Sequence, residues 1–367
     1  MNLVDEGWSR ICWPLEPANV GCRLKEQPED FRVDEVAAYE PCGHGDFVFL
    51  RVEKRDVASD FFVRVLAERL NVKPAAIGMA GRKDRRAVTS QWISVAARDL
   101  EQTIRPSAID GPVGESGHVR LLNVSRHTNK LRTGHLRGNH FTIRLRPIPG
   151  EATPTAEQLQ ERMKAASERG FPNLFGPQRF SRGKTVAMGL AAIGGKRISN
   201  VRRLKLAISA VQALVFNRWL ALRQADGNLD TALLGDVLKR RDSGGMFVSD
   251  DPDVDSTRIR SGELVVTGAL PGNKFLAAQS AAATYELAAL RSLNLGDHPF
   301  AAFGKRATGT RRAALIFPSD VSVQAVGGQT QGAVTDVRFF LPKGAYATVL
   351  LRAVAGAVAQ EGPGVKT

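Results

Sequence analysis

The chain has 367 residues, 43% hydrophobic and 24% charged; that usage excludes a wholly disordered chain, and about 150 residues per domain suggests two domains. Lysine and arginine number 51 against 37 aspartates and glutamates, a net charge of +14, which favours a polyanionic partner, nucleic acid ahead of a membrane surface. No apolar run approaches the roughly 18 residues of a membrane-spanning helix. The opening MNLVDEGWSRICWPLEP carries acids and two Trp where a secretory signal needs a basic start and an apolar stretch, so the cytoplasm is expected. Cys12, Cys22 and Cys42 lack Cys-x-x-Cys spacing, and neither a disulfide framework nor a zinc site is suggested.

In chain order, PEDFRVDEV and GHGDFVFLRVE read as strands between residues 28 and 52. In the second, Val48, Leu50 and Val52 alternate with Phe47, Phe49 and Arg51, which suggests burial on both faces. Ser59 is the expected N-cap of a helix whose stripe is Phe62, Leu66 and Leu70, with Val63 beside it. Val88–Val95 and His140–Leu145 are further strands. Strands running together without a βαβ rhythm indicate α+β with a mainly antiparallel sheet.

From Thr155 the pattern turns helical, with Glu157–Glu168 as an amphipathic segment. FPNLFGPQRFSRG after Gly170 is too rich in Gly, Pro and aromatics for regular structure. A helix over Arg203–Gln224, a strand near Glu263–Thr267, strand character near Arg311, a strand over Val334–Pro342 and a helix in AYATVLLRAVAGAV complete the chain. This order fits a catalytic domain, residues 1–168 and 313–367, interrupted by a largely helical insertion over 169–312.

Basic residues cluster at Arg82, Lys83, Arg85 and Arg86, at Lys130, Arg132 and Arg137, and at Lys196 with Arg197. Further clusters lie at Arg202, Arg203 and Lys205, at Lys239 to Arg241, and at Lys305, Arg306, Arg311 and Arg312. Any one could be an ordinary solvated face; together they suggest a phosphate-tracking surface, which positions a nucleic acid without reading its sequence. In MAGRKDRRAVTSQWISV a single carboxylate, Asp84, lies among four cations just before a strand. Nearby positive charge keeps an Asp ionised, hence nucleophilic or basic. A surface turn with exposed ion pairs would look the same from charge spacing alone.

AGRKDRRAVTSQ resembles the A-G-x-K-D-x-x-A-x-T-x-Q signature of the pseudouridine synthase D family, whose members convert uridine 13 of certain tRNAs to pseudouridine. Four further segments resemble family motifs in order: LKEQPEDFRVDE, KLRTGHLRGNHFTIRLR, FPNLFGPQRFSRG and FFLPKGAYATVLLR. ISAVQALVFNRWLALR and VVTGALPGNK are similar to the family's inserted domain. The resemblance spans roughly residues 24 to 352, with Ser181 where the family usually has Gly. It implies a pseudouridine synthase fold, no metal or organic cofactor, and tRNA as partner; a monomer without protein partners is expected.

Residue by residue, the resemblance makes Asp84 the catalytic aspartate, acting as a nucleophile at C1′ or C6 or as a base at C2′ on a uridine flipped out of its stack. Phe141 matches the Phe that stacks on the uracil, and Phe31 and Phe339 match aromatic positions of the pocket. Asn139 matches an active-site Asn that would bond the base or orient the Asp84 loop. Lys25 would pair with Asp84, and Lys83 and Arg85 flank it in support. From the residues alone, the three Phe could equally be core, Asn139 a turn residue and Lys25 a surface lysine. His135 and His140, without Cys or acid at ligand spacing, are expected to be exposed polar residues and not metal ligands. Three other readings compete: a pseudouridine synthase acting on a different RNA, a non-catalytic RNA-binding protein of the same fold, and a metal-dependent nuclease. The last normally needs clustered carboxylates, and Asp84 has no other within ten residues.

Overall fold

The computed structural model describes residues 22–100, 104–150, 152–181, 183–326, 334–355 and 358–359. Cys12, the opening segment and Gly356 and Ala357 of the expected C-terminal helix lie outside them, and Val358, its expected last residue, is in a short strand. Described residues fall into two compact units: residues 22–169, 317–347 and from Val354 onward in one, Gly170–Ile316 with Thr348–Ala353 in the other.

The first unit begins with β1 (Phe31–Ala37) and β2 (Phe47–Arg55), followed by α1 (Ser59–Arg69). Val48, Leu50 and Val52 project to one face of β2 and pack under Phe62 and Leu66 of α1 and Leu70 at its C-cap, the two-residue and 3.6-residue periods meeting at one interface. Then come β3 (Val88–Ala96), β4 (Gly117–His127) and β5 (Leu136–Pro147), and α2 (Ala156–Arg169) closes this stretch. Ser59 is not the cap of α1: Ala58 holds that position, without a side-chain bond, and the Ser59 hydroxyl turns to the Lys83 backbone instead.

The second unit contains α3 (Lys184–Ile193) and α4 (Val201–Ala225), then β6 (Val237–Arg240), β7 (Met246–Val248), α5 (Pro252–Arg260) and β8 (Leu264–Leu270), and finally α6 (Ser280–Arg291) and β9 (Thr310–Ala313). Asn200 caps α4 by accepting from the Arg203 N–H at 3.0 Å. From Ala207 onward α4 is buried on nearly all sides as the unit's central helix. The four strands form an antiparallel sheet in the order β7-β6-β8-β9, so the unit is less exclusively helical than its sequence suggests. Its interior holds the ion pairs Arg223–Asp236 and Arg311–Glu286. Arg311 and Arg312, counted above among surface cations, belong here. Arg311 pairs with Glu286, and Arg312 lies over the Phe175 ring, 4.1 Å from its centroid, and bonds the Asn173 carbonyl at 2.8 Å. The FPN segment is less irregular than expected: Phe171–Pro172 pairs with Leu315–Ile316 and Pro177–Phe180 forms a short 3-10 helix, after which the Ser181 backbone is left-handed at φ 48°. A glycine adopts that conformation without the Cβ penalty.

The chain returns to the first unit through β10 (Ser319–Val326) and β11 (Val334–Pro342); most of the following α7 (Ala347–Ala355), from Thr348 to Ala353, groups with the second unit. The main path of the large sheet runs β10-β11-β5-β1-β3-β2-β4 and ends on the short strand Gly111–Val113. Every pairing along it is antiparallel except β1 with β3. The fold is thus α+β with a mainly antiparallel sheet; the parallel pair on this path is joined through β2 and α1, and off it Cys22–Arg23 runs parallel to Val358–Ala359. Among the described residues no helix is long and apolar enough to cross a membrane, and neither Cys22 nor Cys42 forms a disulfide.

Candidate active site

Strand register assembles the site. Lys54 of β2 stands opposite Thr89 of β3, Thr89 opposite Val33 of β1, Val33 opposite Phe141 of β5, and Phe141 opposite Phe339 of β11. Residues directly opposite one another share a face of the sheet, so segments far apart in sequence form one row. One step along, Glu35 faces Asn139 and Asn139 faces Leu341. β5 and β11 approach closely here because residue 138 is glycine: a Cβ on Gly138 would sit 2.1 Å from the Leu341 carbonyl oxygen.

Phe141 stacks on Phe339 with centroids 5.3 Å apart at 21°, and Phe31 meets Phe141 edge-on at 6.1 Å. All three rings are buried, forming an apolar wall of one stacked and one edge-on contact, both favoured aromatic geometries. Lys25 adjoins it with Nζ 4.1 Å from the Phe31 centroid, and the same ammonium donates to Asp84 Oδ2 at 2.8 Å. Lys25 reaches this position from a left-handed backbone, φ 59°. That conformation costs a lysine on the order of 1–3 kcal/mol and, once seen, suggests a functional constraint. The Asp84 side chain is 47% exposed, so its carboxylate is accessible while being held by a buried cation.

The loop bearing Asp84 is anchored on both sides. Gly78–Met79 pairs with β3, and the Asp56 N–H donates to the Ala87 carbonyl at 3.0 Å. Between these anchors the Ser59 hydroxyl accepts from the Lys83 N–H at 3.0 Å and donates to the Lys83 carbonyl at 2.8 Å. Lys54 Nζ donates to the Asp84 carbonyl at 2.6 Å.

Lys83 does not project toward phosphate with its neighbours. Its Nζ lies 2.7 Å from Glu35 Oε2 and donates to Asn139 Oδ1 at 2.9 Å, with the Lys83 and Glu35 side chains only 5% and 1% exposed. The other Glu35 oxygen accepts the Trp92 N–H at 3.2 Å, beyond the point where the β1–β3 register ends at Asp34–Ser90. Asn139 is therefore tied to the Asp84 loop through Lys83. The remaining cations face outward and are partly compensated: Arg82 pairs with Asp60 at 2.8 Å, Arg85 lies 3.7 Å from Asp56, and Arg86 donates to the Glu26 carbonyl. Among the described residues Asp84 thus has one directly paired cation, Lys25, instead of a ring of four.

The structure brings Lys25, Phe31, Lys83, Asp84, Asn139, Phe141 and Phe339 together, and leaves Arg85 at the edge. His140 is exposed as expected, but His135 is half-buried, its Nδ1 sharing a 2.8 Å hydrogen bond with the Tyr39 hydroxyl. Glu35 and Lys54 went unrecognised in the sequence. The signal was strand parity: Glu35 continues the inward series Phe31, Val33, and Lys54 the inward series Val48, Leu50, Val52. An ionisable residue at an inward position requires a partner. Among the described residues no group of three or more His, Cys, Asp or Glu is gathered that could hold a metal.

The fold and this sheet face define a pseudouridine synthase architecture. A crystal structure of a tRNA pseudouridine synthase D candidate from Methanosarcina mazei superimposes with a TM-score of 0.71, covering 95% of this chain and 96% of that one at 21% identity. At the level of sequence, the family described as tRNA pseudouridine synthase D (TruD) matches residues 12–204 and 199–354. A tRNA pseudouridine synthase D of Anaeromyxobacter sp. is 44% identical over 90% of this chain and 92% of its own length. One from Thermus thermophilus is 35% identical over 91% and 89%. The chain belongs to the tRNA pseudouridine synthase D family.

Proposed function

We propose that the protein isomerises uridine to pseudouridine in tRNA, at position 13, with Asp84 as the catalytic residue. The observation that carries this reading is an accessible carboxylate held by a buried lysine beside a wall of three phenylalanines. A uridine must leave its stack to expose C1′ and C5; Phe141, backed by the fully buried Phe339 stacked on it, is the ring that meets the flipped base, and Asn139 offers it an amide. The N1–C1′ bond breaks, the uracil turns, and a C5–C1′ bond forms. N1 gains a proton and C5 loses one, so atoms balance without a co-reactant. Asp84 serves this sequence as a nucleophile at C1′ or C6, or as the base that takes the C2′ proton. Lys25 fixes the carboxylate in place, and Lys83 and Arg85 support its loop.

The family of its relatives and the net charge of +14 support tRNA as the substrate. The compact unit Gly170–Ile316 supports reading residues 169–312 as an inserted domain. On this reading the enzyme works as a monomer in the cytoplasm. The test is incubation with an unmodified tRNA transcript followed by adduct-dependent primer-extension mapping. The expected result is a new stop at position 13. Product only at other positions would refute the site assignment, and no product on any tRNA would refute the activity.

A further inference from the structure

Lys54 is fully buried and lies in the strand that runs into α1. Its Nζ donates to two backbone carbonyls, that of Val57 at 2.7 Å and that of Asp84 at 2.6 Å. Among the described residues it has no carboxylate within ion-pair distance. A lysine serving stability alone would be expected to pair with an acid or extend to solvent, since an uncompensated buried ammonium costs free energy. Here the charge holds two backbone carbonyls together, one just before α1 and the other that of Asp84.

We propose that Lys54 is a positioning residue for the reaction: its ammonium group clamps the Asp84 carbonyl to the start of α1 and thereby sets where the Asp84 carboxylate points. The inference rests on the reading of Asp84 as the catalytic residue. Lys25 and Lys54 divide the work, one holding the side chain and the other the main chain. Ser59 holds the adjoining Lys83 peptide, so the loop is fixed at consecutive residues from the α1 side.

The clamp is also sensitive to pH. Burial pulls the Lys54 ammonium down to about 8; the nearby Asp84 and Asp56 carboxylates oppose that shift and Lys83 adds to it. A charged donor holds a carbonyl roughly twice as strongly as a neutral one, so deprotonation slackens the loop. Stability has the opposite sign. Between about 8 and the unfolded value near 10.4, the unfolded chain binds more protons at this group, so Lys54 contributes rising stability as pH rises. Loss of turnover while the fold tightens is something a purely structural lysine would not produce.

The test compares wild type, Lys54→Met, Lys54→Arg and Asp84→Asn on an unmodified tRNA transcript, measuring kcat, KM, thermal midpoint and pH dependence. Wild-type kcat should fall about tenfold between pH 7 and 9, following the protonated fraction of a group titrating near 8, without a falling thermal midpoint. Lys54→Met should lose at least about thirtyfold in kcat with KM for tRNA unchanged. Lys54→Arg, a permanent cation, should keep more activity and lose the alkaline decline. A Lys54→Met kcat within twofold of wild type would overturn the proposal; if that variant fails to fold, identical kcat–pH profiles of wild type and Lys54→Arg from pH 7 to 10 would overturn it instead. Turnover by Asp84→Asn would instead overturn the underlying assignment of Asp84.

Discussion

Glu35 and Asn139 stand opposite one another on β1 and β5, and the Lys83 ammonium joins them, 2.7 Å from the carboxylate and 2.9 Å from the amide oxygen. The residue before the candidate catalytic aspartate is thereby anchored in the sheet that carries the aromatic wall. The loop and the wall share one buried ion pair.

Breaking that pair on one side leaves a buried uncompensated charge. Glu35→Gln should destabilise the protein by about 3 kcal/mol, and Lys83→Met by a similar amount. The double variant should lose less than the sum, because neither charge is then stranded. Urea denaturation of the three proteins checks this, and strictly additive losses would show the pair to be uncoupled.

Lys25 is a test of side-chain placement. Its hydrogen bond to Asp84 is charge-assisted, a class worth about 1.5–3 kcal/mol. If that interaction is used in the transition state, Lys25→Met should lower kcat by about ten- to a hundredfold with little change in tRNA affinity. A rise in KM at constant kcat would assign Lys25 to substrate binding instead.

The glycine of the GNHF segment has a packing reason that can be checked. Gly138→Ala puts a methyl group 2.1 Å from the Leu341 carbonyl, so β5 and β11 must separate. The expected cost is about 2 kcal/mol, with a loss of turnover because Phe141 and Phe339 lie on those two strands. Thermal unfolding and turnover should both respond; unchanged values would mean that the strands already stand further apart.

Acid stability has an identified contributor in Asp30. Burial alone would push this carboxyl up, but the Arg146 guanidinium fork at 2.7 and 2.9 Å, helped by the Gln27 N–H, outweighs burial and holds it below its ordinary value. Its stabilising contribution is full above the unfolded value near 3.9 and is lost as pH falls through the lower folded value. Arg146→Met strands the carboxylate and should cost about 3 kcal/mol at neutral pH. With the guanidinium gone burial dominates, so that penalty should shrink as pH falls and Asp30 takes up a proton, beginning above its ordinary value near 3.9. A penalty independent of pH would contradict the pairing.

Much of the fold was legible because burial leaves a period in the sequence. The alternation in FVFLRV and the stripe of Phe62, Leu66 and Leu70 located β2 and α1. The span Val334–Pro342 matches β11 residue for residue. What escaped was decided by long-range pairing. Nothing local shows that β1 lies beside β3 in parallel, or that the second unit carries a four-stranded sheet. Arg311 and Arg312 read as surface cations because composition does not reveal an acid 25 residues away at Glu286 or a ring at Phe175. The site itself was legible as motifs, but its wiring was not: Lys83 appeared to be one of four cations around Asp84, whereas register directs it to Glu35.

The central claim is that one carboxylate, Asp84, performs the isomerisation while the rest of the site positions it. The most direct measurement is a single-turnover assay of Asp84→Asn on an unmodified tRNA transcript, with tRNA binding measured in parallel. The substitution is nearly isosteric and the side chain is 47% exposed, so the fold and tRNA affinity should be retained within a few-fold while pseudouridine formation disappears. Pseudouridine formed by the asparagine variant at a rate near that of wild type would contradict the account.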